Sequence, residues 1–340
     1  MFQTEIIKSI QSIASVPLTH FILIINELGT HEIIFIILVI IIFGADFKKG
    51  VFISNIVIWN YFAIELIKDY FALPRPADVD AGVKLIGSEN ASLSRVESFP
   101  VRGFFEKLPG EIVDQCRSVK NYPYGFPSGH TCSTVVLWGS TSILFQKRWI
   151  IAVTIALILM MPFSRLYLGK HFLIDVLGGL AAGAVIITFV FTMILKGEKK
   201  EKILSQAKMQ IKVGKDQIFQ LIYLLAVPCM VLIITRSDFA AQILGINLGF
   251  LLIGIQSYPD DCGKLPQRMG RIAIALLVFF ATDYLVQQLL QYFTVRELRA
   301  LKLAKTMLSF FIMIWGTTKL CLWFGFYKTG NSIRGCPANS

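Results

Sequence analysis

Long apolar segments dominate this chain and restrict it to one class of fold. About 20 residues are needed to cross the hydrocarbon core of a bilayer, and nine runs approach or exceed that length. These runs cover residues 32–47, 51–72, 127–146, 149–164, 172–195, 217–234, 239–256, 271–293 and 306–326. The pattern predicts an all-α, polytopic membrane helical bundle with about nine spans.

The composition agrees with a membrane protein and argues against a nucleic-acid-binding protein. Only 16% of the 340 residues are charged, whereas a soluble domain has about 25%. The net charge is +11, but much of the positive charge lies in connections beside the apolar runs. We therefore interpret it as setting orientation and contacting anionic headgroups, and we predict no nucleic-acid partner.

The N-terminal stretch, residues 4–27, permits two interpretations. Ile6, Ile7, Ile10 and Ile13 recur at helical spacing with polar residues between them, which favours an amphipathic helix on the membrane surface. The alternative is a short extra span that continues through residues 17–27.

Two connections between the runs are unusually long or charged. Residues 77–126 carry mixed charge together with apolar residues, which favours a structured cover. Residues 196–216 contain seven lysines. The positive-inside rule places this basic connection in the cytoplasm and residues 77–126 on the extracytoplasmic face. The basic connection 294–305 disagrees with this rule, because it would lie on the extracytoplasmic face if all nine runs crossed the membrane.

The six cysteines are scattered without metal-ligand spacing. At least three lie in or beside apolar runs, where cysteine usually acts as a small hydrophobic residue. We expect no disulfide framework and no metal site.

Four short polar motifs lie at the ends of apolar runs, and all of them fall on the predicted extracytoplasmic face. In chain order they are Lys68-x₆-Arg75-Pro76, Pro127-Ser128-Gly129-His130, Ser164-Arg165 and His171-x₃-Asp175. Lys68 and Arg75 are seven residues apart, so on a helix they would share a face. The start of a helix at Ser128 and Gly129 offers free N–H groups to an anion, and the Arg165 guanidinium can bind a phosphate with two parallel hydrogen bonds.

The two histidines give these motifs catalytic character. His171 and Asp175 are four residues apart, so the carboxylate can fix one ring nitrogen and leave the other free to attack. Taken singly, each motif has a plainer explanation, such as an interfacial arginine or lysine, ordinary helix-start residues or a helix-surface ion pair. Their convergence on one face favours phosphoryl transfer through a phosphohistidine.

The segments KDYFALPRP, PSGH and SRLYLGKHFLID match every defined position of the three-part motif of the type-2 phosphatidic acid phosphatase superfamily. The resemblance covers about residues 50–195. It implies a six-helix phosphatase core with about five spans plus an N-terminal amphipathic helix, and it implies that no cofactor or metal is needed. It implies His171 as nucleophile, Asp175 as its orienting group and His130 as general acid. The phosphate would be held by Lys68, Arg75, Ser128, Gly129 and Arg165.

From this resemblance we predict three regions: a phosphatase core at 1–195, a cytoplasmic basic connection at 196–216 and a transmembrane extension at 217–340. The layout resembles that of glucose-6-phosphatase, and we interpret the extension as an annex for packing or homodimerisation. The substrate is predicted to be a lipid phosphate or lipid diphosphate, cleaved at the outer face of the bacterial inner membrane. The alternatives are a phosphotransferase, a sugar-phosphate phosphatase and a non-catalytic lipid transporter.

Overall fold

The computed structural model describes residues 2–87, 106–108, 110–119, 122–194, 221–292 and 299–329. These residues are almost entirely helical, which confirms the predicted all-α membrane bundle. Each of the nine apolar runs falls on a helix wherever it is described. The basic connection 196–216, residues 88–105 of the predicted cover 77–126 and residues 294–298 of the connection 294–305 lie outside the described residues.

The helices of the N-terminal half carry the sequence motifs at their ends. They are α1 (Glu5–Ser12), α2 (Val16–Glu27), α3 (His31–Val39), α4 (Phe47–Phe71), α5 (Pro76–Val79), α6 (Gly110–Ser118), α7 (Gly129–Phe145), α8 (Arg148–Tyr167) and α9 (Leu173–Phe189). Short π-helical turns continue α3 (Ile40–Ala45) and α9 (Val190–Ile194).

The C-terminal half has four helices and one pair of very short strands. A π-helical turn (Ile222–Ala226) leads into α10 (Val227–Thr235), followed by α11 (Asp238–Gln256), α12 (Leu265–Tyr292) and α13 (Arg299–Trp323). Strands β1 (Pro259–Asp260) and β2 (Lys328–Thr329) pair antiparallel, with Pro259 opposite Thr329.

Six of the described helices are long and apolar enough to cross a membrane. They are α4, α8, α9, α11, α12 and α13. The segment from α2 through the end of α3 passes the same test as a pair bent by 60°. The two remaining predicted spans correspond to shorter helices, namely α7 with 17 residues and the segment Ile222–Thr235.

The N-terminal stretch forms two helices. The amphipathic α1 ends at Ser12, and α2 begins at Val16. Ile7 of α1 is fully buried among Val79, Phe172 and their neighbours. Helix α1 therefore packs its apolar face against the protein. The sequence had predicted a helix on the membrane surface, whose apolar face would contact lipid.

The chain divides into two compact units, here called unit 1 (residues 1–34 and 63–194) and unit 2 (residues 35–62 and 195–340). In unit 1, α7 packs against both α8 and α9, and α2 packs against α8. Two glycines on α9 allow α7 and α9 to approach closely. A Cβ at Gly179 would lie 2.6 Å from the Ser128 carbonyl oxygen, and one at Gly183 would lie 2.7 Å from the Val135 Cβ. Small residues at such positions let membrane helices meet backbone to backbone.

Unit 2 has its own hydrophobic core. Helix α13 packs along α11 and α12, and side chains of residues 39–58 join the same cluster. Cys262, in the connection between α11 and α12, is disulfide-bonded, whereas Cys116, Cys132, Cys229 and Cys321 are free. The sequence predicted no disulfide framework, and Cys262 is the exception to that expectation. The three predicted regions remain a prediction.

Candidate active site

His171 and Asp175 meet where the chain enters α9. His171 Nδ1 lies 3.3 Å from Asp175 Oδ2, and both side chains are buried. The same carboxylate oxygen accepts the backbone N–H of Phe172 at 2.9 Å. Asp175 therefore closes the first turn of its own helix while it faces the imidazole, so Nδ1 is the ring nitrogen that it contacts and Nε2 is left for another partner.

The Pro-Ser-Gly-His motif begins α7 beside this pair. The Ser128 backbone N–H donates to the Asp175 carbonyl oxygen at 2.9 Å, so the close packing of α7 and α9 brings the two motifs together. The Ser128 side chain is buried and accepts a hydrogen bond from the Thr131 hydroxyl at 3.0 Å. A Cβ at Gly129 would meet only Ile64 at 3.8 Å and the Lys68 Nζ at 4.0 Å. Gly129 thus leaves space next to a lysine ammonium.

His130 lies on the first turn of α7. Its Nε2 is buried, and no hydrogen-bond partner for this atom occurs among the described residues. A buried polar atom without a partner is unusual in a folded protein. The position is suitable for an imidazole that exchanges a proton with a bound molecule.

Arg165, in the last turn of α8, is 1% exposed. One of its guanidinium nitrogens, Nη1, donates to the side-chain oxygen of Asn26 at the end of α2. The neighbouring Ser164 hydroxyl donates to the Met161 carbonyl oxygen at 2.8 Å, which is a bond within α8. The Ser164 hydroxyl therefore bonds within α8, and Arg165 is the residue of this motif whose side chain lies at the site.

Lys68 and Arg75 do not share a helix face, so that part of the sequence prediction is wrong. Helix α4 ends at Phe71, and Ala72 adopts a positive φ of 47°, a backbone conformation rare for residues other than glycine. Arg75 lies in extended conformation after this turn, and its Nε donates to the Pro123 carbonyl oxygen at 2.8 Å. Because of this turn, and not because of helical periodicity, Arg75 lies close enough to Lys68 for their charges to interact.

The cations act on the predicted nucleophile. Burial lowers the pKa of the His171 imidazole well below its ordinary value, and the charges of Arg165, Arg75 and Lys68 lower it further. The imidazole is therefore neutral near pH 7 and keeps a lone pair for attack. The three cations, of which Arg165 is buried and Lys68 and Arg75 are partly exposed, also favour a multiply charged anion between them.

Several side chains at the site were not predicted from the sequence. Tyr122 donates its hydroxyl to Asp78, and Asp78 Oδ2 accepts the Arg75 backbone N–H at 3.2 Å. Asn26 and Gly29 approach from the N-terminal segment. No sequence signal identifies these residues, since each depends on a contact with a distant part of the chain.

The structure therefore brings all four motifs into unit 1, around the His171–Asp175 pair. Among the residues that the structure describes, no group of three or more histidine, cysteine, aspartate or glutamate side chains could hold a metal ion. The groups that are present can supply a nucleophile, a proton donor and several phosphate-binding donors.

Comparison with known proteins gives two matches. Residues 49–199 match the PAP2 superfamily, which confirms the family resemblance for the segment that holds every predicted site residue. A lipid A 4'-phosphatase from Porphyromonas gingivalis is 34% identical over 91 residues, which make up 25% of this chain. The chain spans 37% of the length of that relative. No solved structure matches.

Proposed function

We propose that this protein is a membrane phosphatase that removes a terminal phosphate from a lipid phosphate or lipid diphosphate, through a phosphohistidine formed on His171. The observation that carries the proposal is the buried His171–Asp175 pair, 3.3 Å apart, inside a group of phosphate-binding cations. The PAP2 match over residues 49–199 and the similarity to a lipid A 4'-phosphatase support the same chemistry.

In the first step, His171 Nε2 attacks the phosphorus atom while the bond from phosphorus to the leaving oxygen breaks. Protonated His130 gives its proton to that oxygen, so the lipid alcohol, or the lipid monophosphate when the substrate is a diphosphate, leaves with that proton. Asp175 stabilises the imidazolium through Nδ1–H. Lys68, Arg75 and Arg165 bind the equatorial phosphate oxygens, together with donors at Ser128 and Gly129.

In the second step, water attacks the phosphohistidine and the P–N bond breaks. His130, now neutral, takes a proton from the water. Inorganic phosphate leaves, and both histidines return to their starting forms. The residues named here need no metal for either step, and full activity in excess EDTA would agree with this.

A lipid substrate is favoured by where the motifs lie. His130 and His171 each adjoin an apolar helix, so a phosphate at headgroup level can reach them while its acyl chains stay in hydrocarbon. Each CH₂ kept out of water contributes about 0.8 kcal/mol. A soluble ester forgoes that gain at the same phosphate-binding residues.

The test is phosphate release by purified protein in mixed micelles. Lipid A, phosphatidic acid and an isoprenyl diphosphate are compared with glucose 6-phosphate, and the His171→Ala variant is the control for contaminating activity. We expect higher kcat/KM on at least one lipid than on the sugar phosphate. Equal or better efficiency on glucose 6-phosphate would refute the lipid assignment.

We further propose that the site opens on the extracytoplasmic side of the inner membrane, because the lysine-rich connection 196–216 lies opposite the motifs in sequence. A cysteine introduced at Ser92 should react with an impermeant thiol reagent in intact cells, once the native cysteines are masked. One at Ser205 should react only after permeabilisation. The reverse pattern would overturn this orientation.

A further inference from the structure

The bend between α2 and α3, here called the α2–α3 corner (residues 26–31), lies against two of the proposed site residues. Asn26 is 1% exposed, and its side-chain oxygen accepts a hydrogen bond from Arg165 Nη1. Three residues later, a Cβ at Gly29 would lie 2.8 Å from His130 Cδ2 and 2.9 Å from Met161 Cε. The corner thus contacts the guanidinium on one side and the imidazole on the other.

The chemistry of the contact with Arg165 is specific. A guanidinium has donors only, so the group that faces it must be the carbonyl oxygen of the Asn26 amide. That oxygen is a strong acceptor without net charge. It can therefore fix the direction of the guanidinium plane without adding a negative charge beside it. A carboxylate would make a stronger bond, but it would compete with phosphate for the same cation.

The contact with His130 is steric. At Gly29 there is no room even for a methyl group, because both neighbours lie closer than a real Cβ contact permits. Any side chain at this position must push the His130 ring or the Met161 methyl away. His130 has a buried Nε2 with no hydrogen-bond partner among the described residues, so a side chain at position 29 would change where that nitrogen points.

We propose that the α2–α3 corner is a fourth part of the active site. In it Asn26 is a positioning residue that orients Arg165 toward the substrate phosphate without adding a negative charge, and Gly29 is a positioning residue for His130. The proposal rests on the phosphatase function proposed above. It assigns the N-terminal segment a role in phosphate affinity and in leaving-group protonation.

The decisive variant is Asn26→Asp, with Asn26→Ala beside it. Aspartate has the same shape as asparagine and still accepts from Arg165, so a purely structural contact would survive. We expect Asn26→Asp to keep the thermal unfolding temperature in detergent and to weaken inhibition by orthovanadate about tenfold or more, because the added charge offsets that of Arg165. Asn26→Ala should raise KM by several-fold.

Asn247 provides the matched control. It is another buried asparagine in an apolar helix, and its Nδ2 donates to the Leu224 carbonyl oxygen at 2.9 Å in unit 2. Asn247→Ala should lower the unfolding temperature and leave vanadate inhibition unchanged. If orthovanadate inhibits Asn26→Asp as strongly as it inhibits wild type, and Asn26→Ala behaves like Asn247→Ala, the positioning role of Asn26 is wrong.

The second half of the proposal is tested with Gly29→Ala. Displacement of His130 should lower kcat about tenfold on an alkyl phosphate, whose leaving group needs a proton, and change the rate on nitrophenyl phosphate little. Gly110→Ala is the control, since a Cβ there meets nothing within 4 Å. Equal losses of kcat on the alkyl phosphate and on nitrophenyl phosphate would contradict the proposal that Gly29 positions His130.

These outcomes can be separated from a failure of the proposed function. If wild-type protein releases no phosphate from any substrate, the phosphatase proposal fails first. If wild type is active and His171→Ala is inactive, but Asn26→Asp and Gly29→Ala both match wild type, only the role of the α2–α3 corner is refuted.

Discussion

Among the residues that the structure describes, each of the two units has one fully buried arginine, and the two are held in different ways. Arg271 of unit 2 is 1% exposed, and its guanidinium donates to three backbone carbonyl oxygens: those of Phe326, Asp261 and Cys262, at 2.9–3.1 Å. The ring of Tyr327 lies 4.0 Å from its central carbon. This arginine joins the connection after α11 to the end of α13.

Arg165 of unit 1 is equally buried, but its surroundings are of another kind. It donates to the neutral side chain of Asn26, and its charge acts on Lys68, His130 and His171. Backbone carbonyls that surround a guanidinium stabilise a fold. A guanidinium grouped with other cations and two histidines favours an anion between them. The comparison agrees with the phosphate site proposed for unit 1.

The strongest test of this difference removes the proposed nucleophile of unit 1. His171→Ala should abolish turnover, with less than about a thousandth of the wild-type rate remaining. His20, an exposed histidine on α2, is the control, and His20→Ala should remain fully active. A single-turnover assay with a radiolabelled lipid phosphate would also show whether the phosphoenzyme is lost in His171→Ala. Appreciable activity in His171→Ala would show that His171 is not the nucleophile.

The next largest effect is expected at His130. His130→Ala should slow turnover of a lipid phosphate by about a hundredfold or more, because an alkoxide needs a proton as it leaves. A nitrophenolate scarcely needs one, so the loss on nitrophenyl phosphate should be much smaller. The ratio of the two losses is the measurement. Equal losses would argue that His130 only shapes the site.

The sequence predicted the parts of the site that depend on local spacing. His171 and Asp175 are four residues apart at the start of one helix, so their approach to 3.3 Å follows from helical geometry. The apolar runs likewise predicted the membrane helices, because length and hydrophobicity are read directly from the chain.

The sequence could not predict the parts that depend on long-range contacts. Lys68 and Arg75 were expected on one helix face, yet α4 ends at Phe71 and a turn at Ala72 sets their approach. Asn26 was not predicted as a site residue, because its contact is with Arg165, which is 139 residues away. A polar residue in an apolar helix is a functional candidate, but only the fold identifies its partner.

The comparison of the two arginines is tested directly by making the same substitution in each. Lysine keeps the charge but loses the planar fork. Arg165→Lys should lower kcat/KM by about a hundredfold and leave the unfolding temperature nearly unchanged. Arg271→Lys should do the reverse, with a stability loss of about 2 kcal/mol, since one ammonium cannot reach three separate carbonyls. Both variants should be measured for activity and for thermal unfolding in the same detergent. Equal effects on activity would contradict the division of roles.

A smaller difference should appear in how the two units respond to pH. Asp261 of unit 2 accepts the Phe47 backbone N–H at 3.0 Å, and burial, followed by the charge of Asp46, raises its pKa to about 7. In unit 1, Asp80 accepts the Thr4 hydroxyl at 2.6 Å and the Gly82 N–H at 2.8 Å, and Lys8 lies 3.1 Å away. Although burial opposes it, these hydrogen bonds and the Lys8 charge hold the pKa of Asp80 below its ordinary value.

The two carboxyl groups therefore affect stability in different pH ranges and with opposite sign. The folded state binds the Asp261 proton more tightly than the unfolded state does, so its contribution to stability declines as pH rises from about 4 to about 7. The contribution of Asp80 is complete above the ordinary aspartate pKa and is lost only as pH falls through its lower folded value. Asp261→Asn keeps the acceptor oxygen and should raise the unfolding temperature at pH 8 more than at pH 5. Asp80→Asn should lower it by the same amount at both pH values. An Asp261→Asn shift of equal size at pH 5 and pH 8 would contradict the raised pKa of Asp261, and an Asp80→Asn shift that differs between pH 5 and pH 8 would contradict the lowered pKa of Asp80.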